Sequence, residues 1–185
     1  IEGVDRDLLE LARERAVAAD PVVDGRLAVF FDVLGMEGDS EAGRAIRAAY
    51  NAPLPEVLEW VEGAPELLAR LRGRFRLGVV TNGPSEIQRP KVAKFGLEDL
   101  VDHIVVSGEV GAHKPDPAIF RHLLREAGVD PRAAMHVGDS LHSDVTGAHA
   151  AGMSAVWFPP RHRKPEPLTE DALRPDAILA SLADL

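Results

Sequence analysis

Four side chains in the second half of the chain could do chemistry together: the Thr81 hydroxyl, the Lys114 amine, and the Asp139 and Asp144 carboxylates. Thr81 opens Thr81-Asn82-Gly83. Lys114 lies in Gly111-Ala112-His113-Lys114-Pro115-Asp116-Pro117. Asp139 lies in Gly138-Asp139-Ser140, with Asp144 about one helical turn further on. A hydroxyl beside turn N–H groups, here from Asn82 and Gly83, can hold a phosphoryl group, and a lysine can neutralise its charge. Two carboxylates near a phosphate imply a divalent cation, and magnesium takes such oxygen ligands. Each residue alone has a plainer role. Thr81 could be a strand-end hydroxyl, Asn82-Gly83 an ordinary turn and Lys114 a solvated lysine. Asp139 and Ser140 could cap a helix, and Asp144 could face its dipole. Their shared order, each at the end of an expected strand, favours the joint reading.

The elements that must position them fall into two regimes. Residues 5–62 are patterned as helices, for example Leu27, Phe30, Phe31 and Leu34 at i, i+3, i+4, i+7, with Gly35 as a stop. After residue 63, short apolar strands alternate with helices. Strands are expected at 77–81, 103–107, 134–139 and 154–158. Helices are expected at 65–72, 85–95, 117–127 and 143–151, and 178–185 closes the chain. That alternation predicts an α/β fold with βαβ units on a parallel sheet. Ligands of such sheets bind beyond the carboxyl ends of the strands, where the four side chains lie. The run Pro159–Pro167 is expected to be a surface loop.

Composition narrows the function. The 185 residues carry 21 Lys+Arg and 30 Asp+Glu, a net charge of −9, which disfavours nucleic acid and anionic membrane as partners. With no cysteine, a thiolate zinc site and a cysteine nucleophile are excluded. No apolar run is long enough to span a membrane. The N-terminus shows no signal-peptide pattern, and a cytoplasmic protein is expected. There is no initiator Met, so the chain is expected to begin inside a longer polypeptide.

The ordered set resembles the haloacid dehalogenase-like hydrolase superfamily. Thr81-Asn82 looks like its second motif, Lys114-Pro115 its third, and Gly138-Asp139 with Asp144 its fourth. The match extends through Leu77-Gly78-Val79-Val80, Val106-Ser107-Gly108-Glu109-Val110-Gly111 and Asp116-Pro117-Ala118-Ile119-Phe120. Thr81-Asn82-Gly83 followed by Gln88-Arg89 is similar to the branch with nucleotide 5′-phosphatases and N-acylneuraminate-9-phosphatase. The resemblance implies a Rossmann-like core at 63–185 with an inserted helical cap at 1–62. It implies a magnesium-dependent phosphatase for a small phosphorylated metabolite. Thr81 and Lys114 would be catalytic, Asn82 and Gly83 would bind substrate, and Asp139 and Asp144 would hold the metal.

That mechanism needs a first motif, Asp-x-Asp-x-Thr, whose first Asp attacks phosphorus. None occurs here. The nearest stretch, Phe30-Phe31-Asp32-Val33-Leu34-Gly35, has Leu34 where the second Asp would stand. The first core strand and its nucleophile are therefore expected upstream of residue 1. Two alternatives are a 2-haloacid dehalogenase, which needs no metal, and an inactive fragment or pseudoenzyme that binds a phosphorylated ligand. His113, His136 and His142 lack metal-ligand spacing and read as core or surface residues. Trp60 and Trp157 read as packing residues, and Arg161, Arg163 and Lys164 as a solvated basic loop.

Overall fold

The structure is a computed structural model that describes residues 31–32, 35–37, 40–44, 46, 58–159 and 174–185. The chain divides into two compact units, Ile1–Leu58 and Glu59–Leu185. In the first unit, residues 31–32 and 41–44 are helical. Gly35 N–H to the Asp32 carbonyl and Met36 N–H to the Phe31 carbonyl close the first of these turns. Asp32 is thus an exposed helical residue and does not stand at the end of a strand, as a nucleophile-bearing first motif requires. The expected helices at 5–30 and 47–57, and the basic side chains at 161–164, lie outside the described residues.

The second unit is a Rossmann-like α/β core. Its elements in chain order are α1 (Ala64–Leu71), β1 (Gly78–Thr81), α2 (Ser85–Lys94), α3 (Leu97–Leu100), β2 (His103–Val106), α4 (Ser107–Val110) and α5 (Pro117–Ala127). There follow a short turn (Pro131–Ala133), β3 (Met135–Gly138), a widened turn (Leu141–Thr146), α6 (Gly147–Ala151), β4 (Ser154–Trp157), β5 (Ala177–Ile178) and a final turn (Leu182–Asp184). β1 to β4 and α5 fall where the sequence pattern predicts them. β5, α3 and α4 are too short to give a periodic signal.

α5 shows how the sequence sets an element. Asp116 caps it, accepting from Ala118 N–H at 2.8 Å, Pro117 fits the first turn, and Gly128 ends it. Ile119, Phe120, Leu124 and Ala127 form its buried face. Ile119 and Phe120 are fully buried, worth about 1.5–3 kcal/mol each. They pack with Val80 and Val105 from the first strands, Val145 from the widened turn, Ala148 from α6 and Ala155 and Trp157 from β4.

All the strand pairs are parallel, but the expected single sheet comes in two pieces among the described residues. β1 pairs with β2, Gly78 opposite His103. β3 pairs with β4, Met135 opposite Ser154, and β4 with β5. β1 and β3 share no ladder, so each presents one unpaired edge among the described residues. The reason is that no described strand lies between them. No helix among the described residues is long and apolar enough to cross a membrane.

Candidate functional site

Thr81 and Asn82 leave β1, and Lys114 follows β2 and α4. Asp139 and Asp144 follow β3. The carboxyl ends of both sheet pieces therefore contribute. Lys114 Nζ donates to Asp144 Oδ1 at 2.7 Å, an ion pair that joins the two pieces. His136 Nε2 lies 2.8 Å from the same oxygen. Ser140 N–H donates to Asp144 Oδ2 at 3.0 Å. Burial of Asp144, only 3 % exposed, would raise its pKa. The His136 hydrogen bond and the Lys114 charge outweigh burial and hold it well below the ordinary carboxylate range.

The turn after β3 brings Asp144 back to this position. Ser140 Oγ accepts from Ser143 N–H at 3.0 Å, and the Ser140 carbonyl accepts from both Asp144 and Val145 N–H. The bond to Val145 spans five residues, a widened turn of the kind found at functional sites. Gly138 makes room. A Cβ there would lie 2.2 Å from Asp144 Cγ and 2.4 Å from its Cβ.

Both Asp144 oxygens are thus engaged by the protein, whereas the sequence expects a metal ligand here. Asp139 differs. It is exposed, and its side chain has no hydrogen bond or ion pair among the described residues. Trp157 Nε1 donates to its carbonyl at 3.0 Å, which anchors the backbone and leaves the carboxylate free. Asp139 therefore fits as one oxygen ligand of magnesium. Magnesium is commonly held by one or two carboxylates together with water and substrate phosphate oxygens, so Asp139 supplies part of such a set. No cluster of three or more His, Cys, Asp or Glu able to hold a metal occurs among the described residues.

Asn82 meets the main chain of Lys114. Its Nδ2 donates to the Lys114 carbonyl at 2.9 Å, and its Oδ1 accepts from Lys114 N–H at 2.8 Å. The side chain expected to bind substrate instead clamps the lysine loop to the end of β1. Asn82→Ala leaves two partly buried backbone groups unpaired. It is expected to cost about 2 kcal/mol, a fall in Tm of about 4–8 °C by calorimetry.

Gly83 is buried in the turn, its N–H donating to Ser107 Oγ at 2.9 Å. Glu109 braces this turn from outside by accepting from Ser85 Oγ and from Arg89 Nε and Nη2. The Arg89 and Ser85 hydrogen bonds lower the Glu109 carboxyl pKa to about 2.

The sequence reading named His136 and Gln88 but gave neither a role at this site. His136 stands two residues before Gly138, so strand alternation places both on one face. Gln88 and Val92, spaced i, i+4 on α2, are both buried, and Thr81 Oγ1 donates to Gln88 Oε1 at 2.9 Å. A buried glutamine at that spacing was the available signal. His113 and His142 are exposed. Trp157 is 5 % exposed and buried in the core, and Trp60, itself exposed, packs at a tilt against Phe95 with ring centroids 4.7 Å apart.

The haloacid dehalogenase-like hydrolase family matches residues 6–152. This chain belongs to that family. Among its curated relatives, the pyrimidine 5′-nucleotidase YjjG of Escherichia coli is 35% identical over 146 residues, 78% of this chain and 63% of that one. The glyceraldehyde 3-phosphate phosphatase of Pyrococcus abyssi is 39% identical over 111 residues, 60% of this chain and 47% of that one. The chain thus spans about half to two thirds of the length of these relatives. The crystal structure of the HAD phosphatase from Thermococcus onnurineus superposes with a TM-score of 0.68 at 28% identity. That superposition covers 95% of this chain and 76% of the other.

Proposed function

We propose that this chain handles the phosphoryl group in a magnesium-dependent phosphatase for a small phosphorylated metabolite. One observation supports the reading: Thr81 ends β1, Asp139 follows β3, and the Lys114–Asp144 ion pair joins the two sheet pieces. Phosphatases among the relatives support it. Thr81 and the Asn82-Gly83 backbone hold the phosphoryl oxygens. Lys114 neutralises charge that grows as the phosphoester bond breaks. Asp144 acts through Lys114 by fixing its ammonium.

The attacking carboxylate comes from a parallel strand entering between β1 and β3. The unpaired edges on both sides support this placement. That carboxylate bonds to phosphorus, the ester oxygen leaves with a proton from a neighbouring acid, and water then hydrolyses the aspartyl-phosphate. Magnesium, held by Asp139 and a carboxylate of the entering strand, would offset the charge of the phosphoryl oxygens. Residues 1–62, patterned as helices in the sequence, would serve as the substrate-selecting cap.

The test is hydrolysis of p-nitrophenyl phosphate by the full-length protein. Turnover is expected with magnesium and its loss with a chelator. Asp139→Asn is expected to lower kcat/KM about 100-fold, since metal stabilisation of this kind is worth several kcal/mol. Turnover of a 2-haloacid without metal, and none of the phosphate ester, would support the dehalogenase reading and overturn this one. A panel of sugar and nucleoside monophosphates then identifies the substrate.

A further inference from the structure

Gln88 is one of few buried polar side chains among the described residues, 5 % exposed. Its Oε1 accepts the Thr81 hydroxyl proton at 2.9 Å. Its Nε2 has no hydrogen-bond partner among the described residues. The amide nitrogen instead lies against Gly83, where a Cβ would come within 2.5 Å of it. Gly83 has a φ of 136°, a backbone open to glycine, so the turn leaves this space without strain. A buried amide donor without an acceptor is costly, and native proteins rarely keep one without use.

A carboxamide has a donor end and an acceptor end that exchange places on a half-turn. In this arrangement the only proton on Thr81 Oγ1 is committed to Gln88, so it is withheld from a phosphoryl oxygen. After a half-turn, Gln88 Nε2 donates to Thr81 Oγ1 and the hydroxyl proton is released. In the observed orientation Nε2 is unpaired among the described residues, so no hydrogen bond at that end locks the carboxamide. Building on the phosphatase reading, we infer that Gln88 is a positioning residue that turns over when a phosphoryl group arrives. It thereby converts Thr81 into a donor to the phosphoryl oxygen. No covalent bond forms or breaks in this step, and the hydroxyl proton stays on Thr81.

The experiment is a double-mutant cycle in the full-length enzyme, read by kcat/KM on p-nitrophenyl phosphate and by inhibition with inorganic phosphate. Gln88→Met keeps the volume without hydrogen bonds. It is expected to weaken phosphate binding and lower kcat/KM about tenfold, the worth of one hydrogen bond of about 1.4 kcal/mol. Thr81→Val is expected to lose at least as much. Gln88→Met/Thr81→Val is expected to be no worse than Thr81→Val, because Gln88 acts only through that hydroxyl. Effects that multiply, or no effect of Gln88→Met, would overturn the inference. Gln88→Leu, also without hydrogen bonds, serves if Gln88→Met does not fold. Its loss is expected to shrink in the Thr81→Val background, and an equal loss in both backgrounds would overturn the inference. An inactive wild type overturns the phosphatase reading as well, whereas an active wild type with independent effects overturns this inference alone.

Discussion

Lys114→Met in the full-length protein is expected to reduce kcat on a phosphate monoester by about 10²–10³, the usual loss when one charge-stabilising donor is removed. The same change removes the cation from a carboxylate that is only 4 % exposed. Breaking a buried pair from one side typically costs 3–5 kcal/mol. Asp144 keeps His136 and Ser140 N–H, so about 3 kcal/mol is expected here. Adding Asp144→Asn neutralises the stranded charge. The double variant is therefore expected to recover stability while staying inactive. Urea unfolding and steady-state kinetics on the single and double variants check both halves. An active double variant would remove Lys114 from the chemistry.

Asp144 also sets an acid limb. Its folded pKa is depressed, so its contribution is complete above the unfolded carboxylate value of about 4. It is lost as pH falls below that value toward the depressed folded one. Asp144→Asn is expected to flatten Tm against pH in that window and leave the neutral region's slope unchanged.

Gly138→Ala is the second large effect. The added methyl would sit 2.2 Å from Asp144 Cγ, 2.4 Å from Cβ and 2.5 Å from Oδ2. Cβ is next to the backbone, so a rotamer change cannot clear it. The widened turn must move, and Asp144 then leaves Lys114 and His136. Overpacking of this kind costs about 1–3 kcal/mol, before the broken ion pair is counted. The variant is expected to lose about 3 kcal/mol of stability and about 100-fold in kcat/KM, since a misplaced catalytic group of about 1 Å costs that much. An Ala variant with wild-type kinetics would show that Asp144 does not govern Lys114.

Much of this was legible in the residues. β1, β3 and α5 announce themselves by apolar runs and by Asp116-Pro117 and Gly128, because capping and burial are local signals. Thr81 and Asp139 could be picked out because each stands at or just past a strand end, and Lys114 because it precedes Pro115 in the loop beyond β2. Partner choice was not legible. Nothing in the spacing says that Asn82 reaches the main chain of Lys114, or that Asp144 spends both oxygens on protein donors. Those outcomes depend on how the lysine loop and the widened turn meet in space. Asp32 shows the converse. Its apolar neighbours superficially suit a strand, yet Phe31 and Asp32 are helical, as the i, i+3, i+4 pattern around them requires.

The split between the two strand sets also bears on the order in which the reacting centre is built. Each ladder joins segments close in sequence, Gly78 to His103 and Met135 to Ser154, so each can close early and separately. The proposed centre takes Thr81 and Lys114 from the end of the first ladder and the loop beyond it, and Asp139 and Asp144 from the turn that follows β3. It comes into being only when the two ladders dock through Phe120 and Val145 and the lysine finds its carboxylate. A folding intermediate with either ladder complete would carry native strands and no competent centre. Recovery of activity on refolding should therefore lag behind recovery of secondary structure.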